Sequence, residues 1–290
     1  RIDPKNGQVE TVAGNGLKLF AGDGGPATGA TLSFPHGMSV DKYDNLIFSD
    51  KGHFRIRRIT PEGVINTIGG NGIRGNVGDN IPALEANFYN VTTIAQNPKG
   101  DMYMSSPSGF VSLIRKLDAK GFVHDFMDTA SPKYLESIKK SKYKGLVQTG
   151  AVATITQFSD IVFDPKGNLF ISDRLNHQIR KIDTEGNIST IAGTGDSDHD
   201  GDGGPALEAT FRDPNSLASD KDGNIYVADT ANNLIRKIDT NGIITTFAGN
   251  GEHTDSGDGG PALKAGIRSM DDIEFSPANN EPSRIKSYGY

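Results

Sequence analysis

Asp196-Ser197-Asp198-His199-Asp200-Gly201 alternates three carboxylates with other residues and ends on a turn-making glycine. That spacing can wrap oxygens around a hard cation such as Ca2+, so Asp196, Asp198 and Asp200 are candidate metal ligands. The acid that closes a twelve-residue calcium loop is out of register. Leu207 stands at the twelfth position and Glu208 follows it. Read structurally, the same residues make a solvated tight turn, because Asp and Gly suit the backbone of turns. Asp255 and Asp258 form a thinner copy downstream.

A second candidate site comes from two rows of residues counted back from the turn residues Asp41, Asn97, Asp164 and Asp220. Five positions earlier stand His36, Thr92, Ser159 and Asn215, continued by Asp271. Four positions earlier stand Gly37, Thr93, Asp160 and Ser216, continued by Asp272. His36, Asp160, Asn215, Asp271 and Asp272 then form a polar collar able to bind a ligand or a divalent cation. The plainer reading is that these groups only hydrate a wet channel mouth. One position further on, Met38, Ile94, Ile161, Leu217 and Ile273 predict an apolar ring beneath the collar.

Both candidates depend on a repeat. Gly22-Asp23-Gly24-Gly25-Pro26-Ala27 recurs at 201–206 and 257–262, with a decayed copy at 78–83. The first glycines lie 56 residues apart twice, from 22 to 78 and from 201 to 257. A period near fifty indicates a propeller or solenoid. Within each period, short Ile/Val/Phe/Thr runs are bounded by Asp, Gly and Asn, which is strand and hairpin chemistry. One unit resolves into strands at 215–219, 224–228, 234–238 and 243–248. The expected fold is all-β, a β-propeller of four-stranded antiparallel blades. Four blades span about 34–70, 90–127, 159–193 and 214–249. A fifth joins 270–290 to 1–14 and closes the ring; a six-bladed parent is the alternative. The reading is one domain over 1–290 with an insertion at 128–156. There Ser131-Pro132 can start a helix that Gly145 stops, carrying five lysines. That segment reads as a lid, a partner contact or a tolerated loop expansion.

Asn176-His177-Gln178-Ile179-Arg180-Lys181-Ile182, Asn232-Asn233-Leu234-Ile235-Arg236-Lys237-Ile238, the Asp-x-x-Gly-Asn turns and the Gly-Asp-Gly-Gly-Pro-Ala connectors resemble the NHL-repeat family. The connector style is similar to that of bacterial secreted or cell-surface members. The resemblance implies a propeller, six-bladed more often than five-bladed, and no single activity. In the second repeat Ser106-Pro107-Ser108-Gly109 replaces the usual Asp-led turn. Pro214 to Ala218 and Ser159 to Asp164 are also similar to the metal-ligand strands of lactonase propellers. That resemblance implies an Asn and an Asp holding a divalent metal that polarises a lactone carbonyl. No Glu stands at a collar position to complete such a set.

Composition narrows the function. The 290 residues carry 36 glycines, no cysteine and a net charge of -6. Disulfides, thiolate catalysis and Cys-ligated metals are excluded. The acidity argues against nucleic acid as a partner. Arg57-Arg58, Arg115-Lys116, Arg180-Lys181 and Arg236-Lys237 read as intra-blade partners of Asp50, Asp173 and Asp229. No apolar run is long enough to span a membrane. The chain opens on Arg1 and reads as a mature form or an excised piece. The expectation is a non-catalytic scaffold presenting loops to a protein or glycan partner, extracellular or periplasmic. A metal-dependent lactonase is the alternative.

Overall fold

The computed structural model describes residue 1 and residues 6–108, 111–128, 155, 158–275 and 286–287. The insertion helix expected at 131–145 lies outside the described residues, as does most of the last strand pair's connection.

The chain divides into two compact units, each a run of propeller blades. The first comprises residues 1–108 with 113–127, the second 109–112 with 128–290. In the first unit, β1 (Pro35–Val40), β2 (Leu46–Asp50), β3 (Arg55–Ile59) and β4 (Ile65–Gly69) pair in chain order. The next sheet orders β5 (Ile81–Pro82), β9 (Phe122–Asp128), β8 (Val111–Leu117), β7 (Met102–Ser108) and β6 (Thr93–Gln96). It is the expected blade with a two-residue fifth strand on its edge, contributed by the connector. In the second unit, β10 (Ile161–Phe163), β11 (Leu169–Asp173), β12 (Gln178–Ile182) and β13 (Ile188–Ala192) form one sheet. β14 (Pro214–Ser219), β15 (Ile225–Asp229), β16 (Leu234–Ile238) and β17 (Ile244–Ala248) form another, and β18 (Met270–Asp272) pairs with β19 (Lys286–Ser287). Bounds agree with the sequence reading to within one residue in the fourth blade.

Each blade buries its second and third strands against a neighbour in the same unit. Ile47 and Ile56 of the first blade pack with Ile94, Met104 and Val123 of the next. Phe170 and Ile179 pack likewise with Leu217, Val227 and Ile244. Ala218, Tyr226 and Ile235 then meet Met270 and Ile273. The expected apolar ring needs one correction: Ile94, Ile161, Leu217 and Ile273 are buried, but Met38 is 53% exposed. β1 and β10 both open their units, yet Ile161 is buried where Met38 is not.

The Asp-led turns are closed by a repeated bonding pattern. Asp220 Oδ1 accepts the amides of Asp222 and Asn224, and Oδ2 accepts the Asn224 side chain. Asp41 and Asp164 do the same. Burial opposes the charged forms of Asp41 and Asp220, but the Asn side chain and backbone donors outweigh it and hold both carboxyls below the usual range.

The connectors staple consecutive blades. The Gly203 amide donates to Ile244 O of the blade that follows, while Gly193 beyond β13 donates to Ala206 O. Gly201 has φ +97°, and a Cβ there would lie 2.6 Å from Ala209 Cα. Gly203 has φ +82° and open space. Gly203→Ala should therefore cost about 1 kcal/mol from its left-handed backbone alone. Gly201→Ala should cost about 2 kcal/mol, because the clash is with backbone. Urea unfolding of both variants separates conformation from collision; equal losses would refute the close approach.

Candidate functional site

The first strands of several blades are bulged, and the bulges carry collar residues. Register shifts fall between His36 and Met38 in β1, between Pro214 and Leu217 in β14, and between Met270 and Asp272 in β18. A bulge frees a residue from the ladder and re-aims its side chain. Asn215 sits in the second of these shifts and Asp271 in the third, while His36 pairs with Ser49 at the edge of the first and Gly37 is the residue left out.

In the second unit the collar contains a bonded chain of acids. Asp160, just before β10, accepts the Ser216 hydroxyl and the Leu217 amide at Oδ2, both at 2.9 Å. Ser216 Oγ is also 3.1 Å from Asp272 Oδ1 and accepts the Ile273 amide. One hydroxyl proton serves two carboxylates in turn, so Asp160, Ser216 and Asp272 stitch three successive first strands together. Ser216 was not among the expected site residues; its place between Asp160 and Asp272 in one row was the available signal, and the structure buries it to 2% exposure. Asn215 is half-buried, and its carbonyl accepts Ser172 Oγ at 2.7 Å. Asp271 is exposed.

His36 belongs to the first unit, where its Nδ1 lies 2.8 Å from Thr92 O. It borders a cleft of about 360 Å³ walled by Phe34, Phe54 and Tyr89, with Lys51 and Asn90 as polar lining. The sequence reading missed these aromatics. Phe34 immediately precedes a first strand with φ 49°, where the other blades place Asn90, Asp213 and Ser269, also at positive φ. Phe54 closes the short 3-10 turn after β2 at φ 54°, where His177 and Asn233 stand elsewhere. Asn and Asp tolerate this region and bulky residues do not. Residue type alone does not mark both phenylalanines: Phe110 stands at the Phe54 position of the second repeat, and the left-handed φ comes from the fold.

The acidic connector is exposed and internally bonded. The Asp196 amide donates to Thr194 Oγ1, Asp198 Oδ1 meets His199 Nδ1 at 3.1 Å, and the Asp200 amide donates to Thr210 Oγ1. Among the described residues, no group of three or more His, Asp or Glu side chains is arranged to hold a metal ion.

The Asp and Arg rows meet as expected in the β1–β4 and β14–β17 sheets, whereas Arg180 of β12 donates to Gln178 Oε1 at 3.0 Å. Asp50 and Arg57 pair at 3.0 Å with both side chains fully buried. Arg236 pairs with Asp202 of the connector at 2.7 Å and lies 3.7 Å from Asp229. In the second sheet, where Ser106 takes the Asp position, Arg115 instead finds Asp125 on the next strand. Asp173 is held by both amide contacts from Asn176, and burial pushes its carboxyl up to about 6. Burial raises Asp229 similarly, to about 6.

A model of the teneurin NHL domain matches residues 194–262. Mouse (Mus musculus) Teneurin-1 is 30% identical over 258 residues, covering 80% of this chain and 9% of that protein. Protein SUPPRESSOR OF QUENCHING 1, chloroplastic, of Arabidopsis thaliana is 27% identical over 245 residues, covering 83% of this chain and 23% of that protein. The chain thus spans less than a quarter of either relative. Among solved structures, an auxiliary nutrient binding protein from Bacteroides thetaiotaomicron aligns with TM-score 0.46 and 16% identity, over 93% of this chain and 71% of that one.

Proposed function

We propose that this chain, which belongs to the NHL-repeat β-propeller family, is a non-catalytic binding scaffold presenting loops to a protein or glycan partner, outside the cell or in the periplasm. The observation that carries this reading is where the polar side chains go. Asp160 and Asp272 are tied through Ser216, Asp50 is closed on Arg57, and Asp41, Asp164 and Asp220 are closed on their own turns. Groups bonded in this way fix a frame. What the frame leaves outward includes exposed apolar side chains such as Phe34, Tyr43, Ile73 and Val77. Among the described residues, no helix is long and apolar enough to cross a membrane. The likeness to teneurins supports an extracellular setting. The same reading takes the ring as five blades, with 1–14 and 270–290 sharing the last.

The test is titration with calcium, magnesium and zinc, followed by a panel of lactones and esters with each cation present. The expected result is no turnover under any condition. Hydrolysis abolished by Asn215→Ala together with Asp160→Ala would overturn the scaffold reading in favour of a metal-dependent hydrolase.

A further inference from the structure

We propose that the cleft beside β1, walled by Phe34, Phe54 and Tyr89, binds a sugar ring that carries a carboxylate. The inference deepens the scaffold reading, and rests on it, by naming the ligand class of one site.

Three features of the cleft converge. The first is its walls. Phe34 and Phe54 stand at two backbone positions with left-handed φ that, among the described residues of other blades, Asn90, Asp213 and Ser269 and then His177 and Asn233 occupy. Each phenylalanine holds a conformation its shape disfavours, and each lines the same cleft. Strain retained at two positions of one site points to a use for the side chains there. The second is charge. Lys51 and His36 are the titratable groups among the lining residues besides the Tyr89 phenol, and no carboxylate lines the cleft. In a chain of net charge -6, that is a local reversal of sign, and it selects an anionic ligand. The third is openness. Phe34 is 77% exposed, so its ring is a platform rather than the wall of a closed slot. A sugar suits that arrangement: its C–H face lies on an aromatic ring while its hydroxyls stay in water. A planar aromatic acid is better held by enclosure on both faces. The volume of about 360 Å³ lies at the lower end for ligand sites and accommodates one ring with its substituents. Lys51 supplies the cation for the carboxylate, and Asn90 a side-chain amide for a hydroxyl.

The test uses the full chain and four probes: a glucuronate-terminated oligosaccharide, N-acetylneuraminate, the neutral glucose-terminated counterpart of the first, and benzoate. Binding is read by calorimetry and by ligand-observed NMR. The two acidic sugars should bind, and the neutral sugar at least tenfold more weakly. Phe34→Asn and Phe54→Asn install residues that the other blades already use at these φ values, so their Tm should equal or exceed that of the parent. Each should weaken acidic-sugar binding about tenfold or more, from loss of the aromatic face. Lys51→Gln should remove the preference for acidic over neutral sugar. Benzoate binding with no sugar binding would overturn the proposal in favour of an aromatic acid. Equal binding of acidic and neutral sugars would overturn the role of charge. Absence of binding to all four would overturn the site itself but leave the scaffold reading standing. That reading fails on a different signal, the appearance of hydrolysed probe in the same NMR spectra.

Discussion

Asp50→Ala should destabilise the protein by about 3–5 kcal/mol, the usual loss when one partner of a buried ion pair is removed. Asp50 is fully buried and serves three donors. Its Oδ1 accepts the Ser33 amide at 2.7 Å, and its Oδ2 lies 3.0 Å from Arg57 Nη1 and 2.8 Å from His53 Nδ1. Arg57 is fully buried as well, beneath the Phe20 ring at 4.9 Å. Its remaining acidic neighbour is Asp23 at 2.9 Å, which is 37% exposed and therefore screened. Without Asp50 the guanidinium keeps its desolvation and loses its better partner. Arg57→Met in the Asp50→Ala background should recover a large part of the loss, because an apolar side chain needs no counter-charge. Urea unfolding of the two single variants and the double variant measures this coupling. A single-variant loss below about 1 kcal/mol would mean that the pair behaves as a surface pair.

The blades were legible because their signals are local and repeated. Alternating apolar residues between Asp/Gly/Asn turns placed β16 at Leu234–Ile238 without error and missed β15 and β17 by one residue. The Asp-to-Arg pairing was legible for the same reason, since both residues return at fixed offsets. The bulges were not. Nothing in Pro214-Asn215-Ser216-Leu217 distinguishes a bulged strand from a regular one, and the bulge arises from how β14 meets β15. The collar row was consequently found as a row, but the Ser216 bridge between Asp160 and Asp272 was not. Met38 shares its row with Ile94, Ile161, Leu217 and Ile273 but not their burial, which a repeat offset cannot report because burial depends on what packs against each position. Phe34 and Phe54 were passed over because a phenylalanine in a loop is unremarked until its φ is known.

As pH rises from about 4 to about 6, the folded state should lose stability, with Asp173 and Asp229 as the cause. The Asp173 carboxyl is raised to about 6 in the folded protein: burial disfavours the charged form more than the Asn176 donors and the Arg180 charge favour it. In the unfolded chain the same group titrates near its ordinary value of 3.8. Between those values the folded protein holds a proton that the unfolded chain has released. Stability is therefore fully present below about 3.8, declines as pH passes through the window, and levels off above about 6. A displacement of about 2 pH units corresponds to about 3 kcal/mol. Asp229 acts in the same direction and window, with Arg236 beside it. Asp41 and Asp220 act oppositely and elsewhere. Their depressed carboxyls contribute stability above about 3.8 that is lost only as pH falls further. The stability curve should thus peak near pH 4 and not near neutrality. Asp173→Asn keeps the shape, removes one of the two titrations and should roughly halve the slope between pH 4 and 6. Urea midpoints measured at unit intervals from pH 3 to 7 decide the matter. A parent curve that climbs from pH 4 to 7, or a slope that Asp173→Asn leaves untouched, would mean that Asp173 stays ionised in the fold with Arg180 as its effective counter-charge.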